Sequence, residues 1–295
     1  MLDVRKLRVL RELAHRQTIA AVAEAMSYTP SAVSQQLSAL EREAGVPLLE
    51  RTGRRVMLTP AALILVEHTE SILATLERAA ADLTSATERL TGTLRIGAFP
   101  SAVPIILVPA LIAVTGEHPG LDVVVTELDP ATAPAALRAG TVDVALVQEY
   151  DHVPMPPEPA LDTDPLLAET IYLAALGDDP LPDHRDSPWI AGTPGTLCHS
   201  MTIRVCEAAG FTPRIRHHVD DFSAVLALVA AGRGVSLVPE LGARTPPAGV
   251  VLTPLPTRRH TRLAYRRGTR DHPIVSAARI ALHDCAARQF PQALP

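Results

Sequence analysis

Aromatic residues, cysteines and catalytic motifs are what this sequence has least of. Phe, Trp and Tyr make up 3% of its 295 residues, whereas alanine is abundant and prolines number 27. We read that imbalance as codon bias without functional content. Three cysteines, Cys198, Cys206 and Cys285, cannot build a disulfide framework. The opening Met1-Leu2-Asp3-Val4-Arg5-Lys6 lacks the apolar core of a signal peptide, and no apolar run is read as approaching membrane-spanning length. The expected location is therefore cytoplasmic. No Gly-x-Ser-x-Gly elbow, phosphate-cradling Gly-rich Lys motif or His-Glu-x-x-His is present, so no catalytic residue and no cofactor is expected. Gly232-Arg233-Gly234 lacks the third glycine of a dinucleotide fingerprint and reads as a tight turn into a strand at Val235. His217, His218, Asp220 and Asp221 are the nearest thing to a metal set. Neighbouring side chains on an extended segment point to opposite faces, so we expect no metal there.

A net charge of -5 excludes nonspecific coating of nucleic acid by the whole surface. The charge is uneven, because residues 1–60 hold nine Lys or Arg against six Asp or Glu. A DNA-binding end on an acidic body fits that distribution.

The stretch from Thr18 to Arg42 organises the N-terminal end. Thr18 can cap a short helix running to Met26, Ser27 and Tyr28 make a turn, and Thr29-Pro30 is an N-cap followed by proline at the first helical position. That is helix-turn-helix geometry. At 100° per residue, Val33, Leu37, Leu40 and Ala44 fall on one side of the second helix, and Ser31, Gln35, Ser38 and Arg42 on the other. Small polar side chains can approach base edges in a major groove, where Gln pairs with adenine and Ser with either partner. Thr29 and Ser34 flank this face near the helix start, where base contacts concentrate. An ordinary amphipathic pair with a solvated face would read the same way. A first helix over residues 3–15 packs behind, and residues 47–59 read as two short strands around Thr52-Gly53. Arg51, Arg54 and Arg55 cluster at that hairpin, suiting phosphate or minor-groove contact, or merely keeping a turn soluble.

Ala23, Ser34, Gln36, Leu40 and Glu41, the Ala-Val-Ser core, Leu48-Leu49-Glu50-Arg51 and Leu58-Thr59-Pro60-Ala61 together resemble the N-terminal signature of the LysR-type transcriptional regulators. The match is close over about the first sixty residues and architectural beyond them. The family usually has phenylalanine where Leu49 stands and glycine where Ala62 stands, which leaves the packing of the wing on the linker open.

Thr59-Pro60 opens a helix expected to reach about Leu90, with Leu65, Ile72, Ala79 and Ala86 seven apart and Thr69, Leu76, Leu83 and Leu90 interleaved. Such a heptad seam either packs on its own body or pairs with a second chain; its length and the resemblance favour pairing. After Gly92 an α/β pattern begins: strands at residues 94–98, 121–127 and 142–147, helices at 103–115 and 131–139, then a Pro- and Asp-rich crossover over 151–165. Further strands are expected at 169–176, 189–190, 235–238 and 262–266, and helices at 202–209, 222–231 and 274–288.

The resulting fold class is a mostly α winged helix-turn-helix over residues 1–60 and a linker or dimerisation helix over 61–91. A two-lobed α/β domain follows, lobe 1 from 92–163 with 263–295 and lobe 2 from 164–262. It resembles the periplasmic-binding-protein-like effector domain of the same regulators. The resemblance implies a dimer or tetramer that binds promoter double-stranded DNA, meets RNA polymerase and answers to a small molecule between the lobes. Ser101, Gln148, Thr193, Thr196 and Asp221 stand at loops after strands or before helices and are the candidate effector contacts, each also readable as a plain cap or loop residue. Helix N-termini there favour an anionic effector, with Ser101 and Thr193 facing each other across it. Some family members sense oxidants with a cysteine pair in the second lobe. Here Cys198 and Cys206 stand on the order of 12 Å apart along a helix, too far to bridge without local unfolding. The rival to a regulator is a solute-binding or enzyme-like α/β protein whose N-terminal helices serve assembly.

Overall fold

Every helix at the N-terminal end starts where a side chain can satisfy a free backbone amide. The computed structural model describes residues 1–52, 55–85 and 90–290. Asp3 caps α1 (Val4–Arg16) through the amide of Arg5 at 2.7 Å. Thr18 caps α2 (Ile19–Ala25) through Ala21, and Thr29 caps α3 (Pro30–Ala44) through Ala32, both at 3.2 Å. Ser27, in the turn between α2 and α3, takes a left-handed φ of 55°, and Gly45 ends α3 at φ 70°. The turn was expected at these residues.

The apolar faces of α1, α2 and α3 meet in one core built on Leu7, Leu10, Val22, Val33, Leu37 and Leu40. Burying side chains of this size contributes roughly 1.5–3 kcal/mol each, the main reason the three helices hold their angles. A short hairpin follows, β1 (Leu49–Thr52) with β2 (Arg55–Leu58), antiparallel with Leu49 opposite Leu58. Glu41 positions it, one carboxylate oxygen accepting from the amides of Leu48 at 2.9 Å and Leu49 at 3.1 Å. Ala62 is fully buried in the same core and Leu49 packs against its edge, so both departures from the family pattern are absorbed by apolar contact.

Thr59 then caps α4 (Pro60–Ser85) through the amide of Ala62 at 3.1 Å. At 1.5 Å per residue α4 is about 39 Å long. Its described part reaches Ser85; Leu90 lies outside the helix, and Ala86 lies outside the described residues. The expected seam divides. Thr69 is buried and Leu65 partly so, while Ile72, Leu76 and Leu83 are exposed at 36%, 46% and 77%.

The chain divides into two compact units, the first formed by Met1–Leu83 with Arg267–Thr269. The second contains a six-stranded sheet in the order β4-β3-β5-β10-β6-β9. Its members are β3 (Gly92–Ala98), β4 (Leu121–Glu127), β5 (Val144–Tyr150), β6 (Leu161–Ala175), β9 (Ser236–Pro239) and β10 (Val251–Arg266), with β3 parallel to both β4 and β5. A separate parallel pair, β7 (Pro188–Ala191) and β8 (Arg214–His218), touches the start of β9 through a bridge from Trp189 to Val235. Helices α5 (Val108–Glu117), α6 (Ala133–Ala139), α7 (Leu197–Ala208), α8 (Phe222–Ala230) and α9 (Pro273–Gln289) cover the sheets.

Several boundaries differ from expectation. The strand expected at 142–147 lies at Val144–Tyr150, which puts Gln148 inside it. The supposed crossover over 151–165 already contains the first residues of β6, and the return strand at 262–266 is only the end of the 16-residue β10. Lobe limits at 163/164 and 262/263 therefore fall within continuous strands. The strand β8 was not drawn as such, although His217 and His218 were read as extended, because Arg214-Ile215-Arg216-His217-His218 has little apolar content to announce it. The helical run Pro100–Glu117, with mean hydropathy 1.6, does reach membrane-spanning length, contrary to the expectation. It is helical in 3-10, π and α form in turn, and its Ala102, Ile106, Leu107, Ala110 and Val114 lie in the core of the first lobe. The Gly232-Arg233-Gly234 turn is present, with Gly232 at φ 68° and the amide of Arg233 on the carbonyl of Leu228.

Candidate nucleic-acid interface and ligand cleft

In the first unit, the packed face of α3 leaves its opposite face to solvent. Val33, Leu37 and Leu40 are buried, while Ser31, Gln35, Ser38 and Arg42 are exposed. Thr29 spends its hydroxyl on the helix cap and lies 3.0 Å from the Ser31 hydroxyl. Ser34 donates to the carbonyl of Pro30, and Arg42 Nε to the carbonyl of Ser38 at 3.4 Å. Ser34, Gln35, Ser38 and Arg42 line a shallow concave surface with Gln36 and with Lys6 from α1. Lys6 had not been expected there. It sits one helix away in sequence and is held by an ion pair to Glu43. Arg54, with Gly53, lies outside the described residues, as do the side chains of Arg51 and Arg55.

In the second unit, a cavity of about 790 Å³ is walled by Ser101, Gln148, Thr196 and Asp221, so four of the five expected residues meet at one place. Each arrives from a different element: Ser101 just after β3, Gln148 within β5, Thr196 at the cap of α7 and Asp221 at the cap of α8. Thr193 is not on the wall. Its amide and hydroxyl bind the carboxylate of Asp220 at 2.8 and 2.6 Å, and Asp220 faces the cavity instead.

Sequence reasoning missed the floor. Arg259 of β10 pairs across the sheet with Tyr150 of β5 on one side and Glu169 of β6 on the other. It is 1% exposed, and its guanidinium reaches the Glu169 carboxylate at 2.6 Å, donates to the Ser101 hydroxyl at 3.3 Å and lies 4.8 Å over the Phe99 ring. The second Glu169 oxygen accepts from the amide of Leu241 at 2.6 Å. Burial raises the Glu169 carboxyl above its ordinary range against the pull of Arg259. The Tyr150 hydroxyl is 3.3 Å from Cys198 Sγ, which also lines the cavity. Gln148 is 4% exposed and sends its amide nitrogen to Tyr150 at 3.4 Å, while its carbonyl oxygen has no partner. Gly242 is required on the wall, since a Cβ there would lie 2.7 Å from the Phe222 ring.

At the starts of α7 and α8 on the cavity wall, one backbone amide each is taken by a side chain of the protein. Thr196 accepts from the amide of His199 at 3.2 Å and Asp221 from that of Ala224 at 2.8 Å, while in the turn ahead of α6 Asp129 accepts from Ala131 at 2.8 Å. Each cap satisfies one of the several amides that a helix start leaves free.

Cys198 and Cys206 share α7, and eight residues of helix separate them by about 12 Å. Burial raises both thiols, Cys206 to about 12, so neither is poised as a thiolate. Among the described residues, no group of three His, Cys, Asp or Glu could hold a metal ion.

Comparison with known proteins matches residues 4–63 to the bacterial regulatory helix-turn-helix of the lysR family and residues 87–286 to the LysR substrate binding domain. The transcriptional dual regulator GltC of Bacillus subtilis is 29% identical over 265 residues, 86% of each chain. The transcriptional regulator TfdS of Cupriavidus pinatubonensis is 33% identical over 250 residues, 81% of this chain and 82% of its own. A probable hydrogen peroxide-inducible genes activator of Streptomyces viridosporus is 30% identical, covering 97% of this chain and 99% of its own. Among solved structures, a mutant of Corynebacterium glutamicum OxyR superposes with a TM-score of 0.59 at 25% identity, covering 99% of this chain and 93% of that one. Full-length CbnR complexed with its target DNA superposes at 0.54 with 23% identity, covering 96% and 100%.

Proposed function

This chain belongs to the LysR family of transcriptional regulators and joins a DNA-binding helix-turn-helix to an effector-binding domain; we propose which of its residues carry each task. Ser31, Ser34, Gln35 and Ser38 read base edges from the major groove, with Thr29 at the helix start and Arg42 at the flank. Arg51, Arg54 and Arg55 hold phosphates or enter the minor groove. The observation that carries this reading is α3 itself, apolar inward and small and polar outward with no carboxylate among those outward residues. A helix so built can lie in a groove about 12 Å wide.

The effector enters the cavity of the second unit, where Ser101, Gln148, Thr196 and Asp221 meet it, and Thr193 acts through Asp220. The helix starts on the wall would favour an anionic effector, but Glu127, Asp129, Asp220 and Asp221 on the same wall repel one, so an anion is not part of this reading. The exposed part of the α4 seam pairs with a second copy, giving a dimer or a tetramer that fits paired half-sites. The protein works in the cytoplasm as a regulator without catalytic activity, and RNA polymerase is a partner at the promoter.

The test is a mobility shift on DNA flanking the protein's own gene, against scrambled DNA of equal length, over a range of salt. Retardation of the flanking DNA that persists to higher salt than that of the scrambled DNA is expected. Equal binding to both, or none at low salt, would remove the reading.

A further inference from the structure

The cavity of the second unit has a charge and a hydrogen-bonding character that its walls determine. Glu127, Asp129, Asp220 and Asp221 are four carboxylates on its lining, and all four are exposed. The described lining residues carry two cations, Arg244 and Arg259. Arg259 is matched at 2.6 Å by Glu169, and Arg244 lies over the Phe290 ring at 4.8 Å. With that pair neutral, the wall is net negative.

A second observation points the same way. The carbonyl oxygen of Gln148, on a side chain 4% exposed, lacks a partner although it stands at the cavity. A buried acceptor left unpaired is unfavourable and is relieved by a ligand N–H. What the cavity has to spare is therefore acceptors.

The geometry points to an effector that is a small organic cation with N–H donors, an amine or a guanidine, held between the carboxylates and donating to Gln148. This rests on the cavity being the effector site. It also ties binding to the arrangement of the lobes. Glu127 and Asp129 follow from β4 in the first lobe, while Asp220 and Asp221 precede α8 in the second, so the walls repel one another until a cation lies between them. A ligand shifts a conformational equilibrium only through such a difference between states. The Cys198 thiol lies in the same field: burial raises it, Tyr150 and Arg259 lower it, and Asp220 and Asp129 raise it again.

Two measurements on the full-length protein test this. Calorimetric titration with 1,4-diaminobutane and, separately, with succinate should give saturable heat for the diamine, with succinate at least tenfold weaker. Succinate binding alone, both binding equally, or neither binding overturns the proposal. Labelling of Cys198 by methanethiosulfonates bearing a trimethylammonium or a sulfonate group reads the field without a ligand. After normalisation to 2-mercaptoethanol, the cationic reagent should react several-fold faster at low salt, and Glu127→Gln with Asp129→Asn should bring the ratio toward one. A normalised ratio of one or less in the unmodified sequence, or no labelling of Cys198 by either reagent, overturns the proposal. A mobility shift on the same preparation reads DNA binding independently, so its failure is seen apart from that of the ligand class.

Discussion

The face of α3 and the cavity of the second unit are both polar surfaces on apolar scaffolds, but they are assembled in opposite ways. The first draws Ser31, Gln35, Ser38 and Arg42 from three turns of one helix, whose other side is buried. The second draws Ser101, Gln148, Thr196, Asp221 and Arg259 from a 3-10 turn, two strands and two helix caps, and Arg259 is held by Glu169, 90 residues away in sequence. A surface built on one helix can lose a side chain without losing its frame. A surface built where many elements converge cannot, because its polar groups also hold those elements together.

The largest expected effect breaks that comparison at the floor of the cavity. Arg259→Met leaves Glu169 as an uncompensated buried charge, which costs about 3–5 kcal/mol. Denaturant unfolding should show that loss, and a change below about 1 kcal/mol would mean that the pair holds nothing together. Next comes the α4 seam, where Leu76→Asp or Leu83→Asp puts a charge at an apolar partner. Sedimentation should report a smaller mass and operator affinity should fall with it; an unchanged mass would place the seam within one chain.

On α3 the effects should be smaller and confined to DNA. Ser31→Ala and Gln35→Ala each lose on the order of 1–3 kcal/mol of preference for the cognate site, whereas Arg54→Ala weakens all DNA alike and lowers the salt slope by about one. Identical behaviour of the three on cognate and random DNA would end the distinction between reading and holding. Smaller still, Ser101→Ala should keep operator affinity without effector and respond weakly once a binding amine is added. A full response would move the ligand away from Ser101. The smallest expected effect is none: thiol counting before and after peroxide should find no pair of thiols lost per chain, since Cys198 and Cys206 are fixed on one helix and protonated. Loss of two with altered DNA binding would show that α7 unwinds.

The same contrast explains what the sequence disclosed. Helices α1 to α3 were legible because periodicity and capping are local: Thr18, Thr29 and Pro30 mark their own boundaries. The heptad spacing of α4 was followed to Leu90, which the structure leaves outside the helix. Strands β6 and β10 were drawn too short because Asp162, Asp164 and Pro165 in one, and Pro254 and Pro256 in the other, read as loop. Arg259 was missed for a different reason. Its partner is set by register, which only the folded sheet defines, and the one local clue is parity: Thr257, Arg259, Thr261, Leu263 and Tyr265 alternate inward along β10. A period-two reading carried back from Leu263 would have put an arginine inside.

The central strand β10 also governs when the second unit can form during synthesis. It lies between β5 and β6, bonded to β6 along most of its length and to β5 from Arg259 to Tyr265, yet it is made roughly a hundred residues after β5. Until residue 266 has left the ribosome, β5 and β6 each present an unpaired edge, Gln148 and Tyr150 lack their partners across the sheet, and Glu169 lacks its cation. The core of α1, α2 and α3, whose contacts are close in sequence, can form long before. Translation therefore produces a folded DNA-binding end attached to an open, aggregation-prone sheet, and a chain cut before Val251 would remain in that condition.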